Sequence, residues 1–135
     1  MEKIYSKIEE KKLLHIINRF CDISCERADI IPAENYIQLC SMKLMAGKKF
    51  RAHKHIPFLK ETHRCQETFM VVKGKLKVIM YDTDDSLLGE SILHTGDVVV
   101  TLEGGHNYEC LEDDTVIYEH KTGPYLGIEK DKVFL

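Results

Sequence analysis

Residues 68–81 read TFMVVKGKLKVIMY. Two apolar runs, Thr68–Val72 and Leu76–Tyr81, flank Gly74. The first is β-branched and aromatic, and the second carries Leu76, Val78, Ile79 and Tyr81. Each has the length of a strand and is too short for a stable helix. The acidic turn DTDD, residues 82–85, ends the second run. Downstream the pattern continues. Leu87–Leu93 reads as a short strand, Gly96-Asp97 as a turn, Val98–Thr101 as a strand and Gly104-Gly105 as a turn. Tyr108–Leu111 and Val116–His120 read as two more strands. Upstream, Tyr36, Ile37, Leu39, Met42, Leu44 and Met45 form a mostly apolar run ending at Gly47. Short strands with turns every ~8–12 residues indicate an all-β sandwich or barrel. A parallel α/β sheet would need long helical crossovers, for which this region has no room.

The N-terminal stretch is ambiguous. EEKKLLHIINRF, residues 9–20, has Leu13, Leu14 and Ile17 on one helical face, yet its Leu-Leu and Ile-Ile pairs suit neither period. A short helix and an extra strand are both open readings there. The chain shows no repeat and no linker-like stretch. Its 135 residues suit one domain with a core large enough to stand without disulfides.

Charge and cysteine usage narrow the function classes. A net charge of −3 argues against broad attraction to nucleic acid or an anionic membrane. The five cysteines, Cys21, Cys25, Cys40, Cys65 and Cys110, are odd in number and form no C-x-x-C pair. That pattern fits neither a disulfide framework nor a thiolate zinc site. The charged start MEKIYSKIEEKK lacks a signal peptide's apolar stretch, and no apolar run approaches the ~20 residues of a membrane span. A cytoplasmic protein with reduced thiols is expected. There is no Walker loop and no G-x-G-x-x-G fingerprint. DTDD lacks the EF-hand glycine and distal glutamate, so a hairpin turn is its reading.

The chemistry-bearing stretch is RAHKHIPFLKETHRCQE, residues 51–67. On an extended backbone His53 and His55 point to one face and can converge on one metal ion. Glu67 begins the following strand, and His106 follows the Gly104-Gly105 turn. Imidazoles and a carboxylate suit Fe, Mn, Ni, Co or Zn and leave the choice among them open. The expected divalent-metal ligands are therefore His53, His55, Glu67 and His106, with His63 and Gln66 as alternatives to Glu67.

The glycine spacing around these residues resembles the cupin family. Gly47, five residues (KKFRA) and His53-Lys54-His55 match the first half of that family's first motif. Glu67, six residues (TFMVVK) and Gly74 match its second half. Gly96, DVVVT, Gly104 and His106 resemble the second motif. The resemblance covers about residues 36–120. It departs from the pattern in four places: eleven residues separate His55 from Glu67 where three or four are usual, Leu102 replaces a proline, the spacing before His106 is one residue short, and Cys110 stands where asparagine is usual.

The resemblance implies a single-domain jelly-roll β-barrel over residues 36–135, with residues 1–35 as an N-terminal extension packing on it. Gly47 and Gly74 would lie at turns around its first hairpin. The GGH turn and the later Gly123-Pro124-Tyr125 segment are similar to small cupins encoded among surface-polysaccharide genes. A metal-dependent isomerase or epimerase acting on a sugar or sugar derivative is the expectation that follows, with Glu67, His63 or Tyr125 moving the proton. The alternatives are an Fe(II) dioxygenase and a non-catalytic carbohydrate- or metal-binding cupin. His120, Lys121 and Thr122 are candidates for a pocket rim, and Lys60 and Arg64 for contacts to an anionic group. An open jelly-roll edge also predicts a homodimer.

Overall fold

The computed structural model describes residues 1–135. Its strands are β1 (Glu2–Tyr5), β2 (Leu13–Asn18), β3 (Ala28–Asp29), β4 (Cys40–Ser41), β5 (Glu67–Lys73), β6 (Lys75–Tyr81), β7 (Leu87–His94), β8 (Val98–Thr101), β9 (His106–Cys110) and β10 (Val116–Lys121). A 3-10 turn covers Phe20–Asp22, and one short helix, α1, covers Ile128–Asp131. The fold is all-β, and every strand pair is antiparallel. The larger sheet has the order β1-β2-β8-β5-β10 and the smaller β7-β6-β9, while β3 and β4 form a two-strand ribbon. Both larger sheets keep free edges, so the strands face one another as two layers and do not close into a barrel.

Gly74 explains the two layers. One residue separates β5 from β6, yet β5 pairs with β8 and β10 while β6 pairs with β7 and β9. TFMVVKGKLKVIMY is thus a chain changing sheets, not a hairpin. Gly74 makes the corner at φ +87°, and a Cβ there would lie 2.3 Å from Thr115 Oγ1. Only glycine takes that conformation and that approach without strain.

Between the layers β6 shows clean alternation. Leu76, Val78 and Met80 turn inward and meet Ile17, Phe69, Val71 and Val99 of the larger sheet, with Leu93 of β7. Each such side chain contributes roughly 1.5–3 kcal/mol on burial. A second apolar cluster covers the opposite face of the larger sheet. There Ile16, Val98 and Val100 pack against Ile30, Ile31 and Leu102, with Ile37 and Leu39 alongside. β2 and β8 are therefore apolar on both faces, as their unbroken buried runs require.

The ambiguous N-terminal stretch is β2 followed by the 3-10 turn. It is built into the larger sheet, between β1 and β8, and not appended to it. The run from Tyr36 to Met45 supplies only the two-residue β4. Ile37 and Leu39 bury their side chains on the second core, while little of that backbone finds a sheet partner. The single α-helix lies at the C-terminal end, where the sequence pattern gave no helical signal.

Buried polar groups fasten the layers. Asp97 accepts hydrogen bonds from Phe20 N (2.9 Å) and His94 N (3.0 Å) and pairs with Arg19 at 3.1 Å. Asp82 accepts from Ser6 Oγ and Lys7 N, both at 2.7 Å, which ties the N-terminal strand to the DTDD turn. His15 is fully buried. Its Nε2 donates to the Tyr81 carbonyl at 3.2 Å, which leaves Nδ1 to accept from the Thr101 hydroxyl at 3.1 Å. Burial, opposed in part by the Tyr81 carbonyl, lowers its pKa to about 4, so the ring stays neutral. No helix is long and apolar enough to cross a membrane, and all five cysteines are free thiols.

Candidate functional site

A cavity of about 570 Å³ opens between the sheets at one end. β5 supplies Glu67 and Phe69, β9 supplies His106 and Tyr108, and residues 131–135 lie across its mouth. Register puts these side chains there. Glu67 starts β5 on the same face as inward Phe69 and Val71, and His106 starts β9 opposite Met80. The Gly104-Gly105 turn delivers β9 to the rim. Gly104 sits at φ +83°, with any Cβ 2.5 Å from the Tyr81 carbonyl oxygen.

Glu67 is 4% exposed. Its Oε2 lies 3.1 Å from His106 Nε2, but the ring N–H does not aim along that line, and Oε2 has no hydrogen-bond donor. The nearby imidazole holds the Glu67 carboxyl below the usual range against the opposing effect of burial, with Lys132 and Lys121 assisting. The group is therefore an ionised, water-poor carboxylate. His106 Nδ1 and the Tyr108 hydroxyl are also buried without partners, and Thr101 lies near that hydroxyl without forming a hydrogen bond. Burial, then the Glu67 charge, raises the Tyr108 pKa, so its hydroxyl keeps its proton. Three unpartnered polar groups on one cavity wall are unusual, because each costs about 1–3 kcal/mol when left unpaired.

Beside Glu67, Lys121 lies 3.7 Å from its Oε1, 3.6 Å from Glu119 and 2.8 Å from Asp131. Its ammonium stands 4.3 Å from the Tyr125 ring. The hydrogen bond to Asp131 holds Lys121 well above the ordinary lysine range. Cys65 Sγ approaches Glu67 Oε1 at 3.8 Å, and burial followed by the Glu67 charge raises its pKa, so it is a thiol and not a thiolate.

The structure brings together two of the four metal-ligand residues anticipated from sequence, Glu67 and His106. His53 and His55 stack edge-to-face with ring centroids 5.5 Å apart, on an exposed stretch without regular structure. The one group of three ligating atoms mutually within 4.8 Å is Cys65, Glu67 and Asp131. His63 lies with Glu61 and Arg64 on a separate cavity of about 440 Å³. Gln66 is occupied structurally: its carbonyl accepts from Tyr36 N and Ile37 N, and its amide donates to Asn35 Oδ1. Tyr125 reaches the site through Lys121. Arg64 pairs with Glu103, and Lys60 lies over the Phe58 ring. Thr122 accepts from Gln66 N, and His120, paired with Thr68, faces away from the cavity. Asp131 and the segment after it were not anticipated. No local pattern marks Asp131, and only tertiary packing sets its carboxylate on Lys121.

Compared with known proteins, the chain matches no family model, no curated protein and no solved structure.

Proposed function

We propose that this chain binds a small polar metabolite of the sugar class in the cavity between its sheets and moves a proton on it, as an isomerase or epimerase of cupin kinship. The observation that carries this reading is the buried, ionised Glu67, its Oε2 unpartnered at 3.1 Å from His106 Nε2 on the cavity wall. Such a carboxylate can take a proton from a carbon next to a carbonyl. The imidazole that keeps it ionised also lowers its basicity, and His106, 3.1 Å away on the same wall, is placed to return a proton to the neighbouring carbon on the same face. The Tyr108 hydroxyl, protonated and unpartnered, can donate to the substrate oxygen.

The donor set suits a divalent metal in kind: a free carboxylate oxygen beside an imidazole. With a metal bound, Glu67 and His106 would be its ligands, with His53 and His55 recruited from the stretch that precedes β5, and the proton would then be moved by Tyr125 instead. A bound metal would polarise the substrate oxygen as a Lewis acid. The cupin jelly roll itself is part of this proposal, resting on the spacing of Gly47, His53, His55, Glu67, Gly74 and His106.

Deuterium wash-in tests the activity. Metal-supplemented protein in D2O, given a panel of aldoses and ketoses, should place deuterium on a carbon next to the carbonyl, and Glu67→Gln should abolish this. Binding without exchange would make the chain a carbohydrate-binding protein, and neither binding nor exchange would overturn the site.

A further inference from the structure

We propose that the ligand of this cavity is a hydroxylated carboxylic acid of the sugar-acid class, whose carboxylate takes the place of Asp131 on Lys121. The inference rests on the reading of the Glu67–His106 cavity as the functional site and adds the anchor that selects what enters it.

The hydrogen bonding of Lys121 carries the argument. An ammonium group has three donors. Asp131 receives the one hydrogen bond that Lys121 makes, at 2.8 Å, while Glu67 and Glu119 stand at 3.7 and 3.6 Å, beyond hydrogen-bond length. The site is therefore built around one carboxylate at bonding distance, and the chain supplies that carboxylate from its own tail. Asp131 lines the cavity, and Lys121 does not. The tail carboxylate caps the lysine on the cavity side.

The tail that bears this carboxylate is lightly held. α1 has four residues. Around it Ile128, Val133, Phe134 and Leu135 are 51%, 90%, 82% and 65% exposed, so little apolar burial fixes the segment. Leu135 touches the Gly105 region, and the Lys121–Asp131 pair supplies the polar tie to β10. A ligand carboxylate displacing Asp131 replaces charge with like charge, so the cavity keeps its electrostatic balance. A neutral sugar displacing it would offer Lys121 only an uncharged hydroxyl acceptor, a weaker partner for a cation.

The rest of the wall fixes the other half of the ligand. The two oxygens of Glu67 face the two subsites, Oε1 toward Lys121 and Oε2 toward His106. One carboxylate thus spans the distance from the anionic anchor to the proton-moving pair. Oε2, His106 Nδ1 and the Tyr108 hydroxyl are unpartnered but have almost no accessible surface with the tail in place, so ligand hydroxyl groups would meet them only once the tail has moved aside. Phe69 and Tyr108 stack with ring centroids 4.1 Å apart and form the apolar part of the cavity wall.

Matched pairs test this by titration calorimetry: D-galacturonate against D-galactose, and D-glucuronate against D-glucose. With the wild-type protein at least one acid should bind tenfold or more tighter than its neutral partner. Lys121→Met should erase that preference. Asp131→Asn, which removes the internal competitor while leaving Lys121 in place, should tighten acid binding threefold or more. Asp131 belongs to neither apolar core, so the effect of Asp131→Asn stays readable even if Lys121→Met disturbs the fold. Acids binding no better than neutral sugars, or acid affinity unmoved or weakened in Asp131→Asn, would overturn the inference. If the sugars then bind alike and Glu67→Gln still abolishes binding, the cavity remains the site and only its anionic selectivity is lost. If no probe binds, both fall.

Discussion

Acid should weaken this protein through His15 well before it protonates the carboxylates. The ring is fully buried, hydrogen-bonded as the neutral Nε2–H tautomer, and its pKa stands at about 4 against 6.5 when unfolded. A folded pKa below the unfolded one means that the unfolded chain binds the proton more readily, so stability falls as pH falls from about 6.5 to about 4. The full difference of roughly 2.5 units corresponds to about 3 kcal/mol, of which about 2 kcal/mol is lost between pH 7 and pH 5. Asp97, Asp82 and Glu67, held below the ordinary carboxylate range, contribute stability that is lost only near pH 4 and below, outside that window. The perturbation is His15→Gln, which keeps a donor and an acceptor but cannot titrate. Urea unfolding at pH 7, 6 and 5 reads the outcome. The variant starts less stable, since its hydrogen bonds are not ideal, but its stability should stay flat over this range while the parent's declines. A parallel decline in parent and variant would refute the assignment of the acid sensitivity to His15.

Gly74→Ala should destabilise the fold by about 1–3 kcal/mol from its positive φ alone, with the Thr115 contact adding to that, and an unchanged melting temperature would contradict the sheet-changing corner. His53→Ala combined with His55→Ala should lower metal content measured by elemental analysis while the far-UV spectrum stays β-type, because neither ring is part of either core; metal retained at the wild-type level would remove these two histidines from the ligand set. Light scattering at high micromolar concentration should give a dimer, since β1, β7, β9 and β10 all present sheet edges; a monomer would count against it.

β6 was legible because Leu76, Val78 and Met80 fall inward as alternation requires, and β5 because its residues are β-branched and aromatic. Their topology was not legible. Nothing in TFMVVKGKLKVIMY distinguishes a corner between sheets from a hairpin, since that depends on Thr115 filling the space beside Gly74. β2 defeated periodicity for the opposite reason. LLHIIN is buried on both faces, so it carries no alternation to read. The run at 36–45 misled because its apolar residues serve no sheet: Ile37 and Leu39 are partly buried against the second core, while Tyr36, Met42, Leu44 and Met45 stay exposed. At the site, Glu67 and His106 stand out by their placement relative to the glycines. Lys121, at the end of β10, and Asp131, at the end of α1, meet through tertiary packing, a contact that no local pattern encodes.

The position of β2 within the larger sheet also has a consequence for how the chain reaches this fold. His15 pairs with Thr101 and Asn18 with Val98, so a strand near the beginning of the sequence waits for one made more than eighty residues later. Until then Ile16 and Ile17 have only β1 beside them and no completed core. Closing such long loops before contacts repay the entropy slows folding, and it leaves the nascent N-terminal third exposed during synthesis. The same arrangement makes the finished sheet a single cooperative unit. Pulling β2 away from β8 opens both apolar layers at once, so the amides of β2 and β8 should exchange with solvent only through global unfolding.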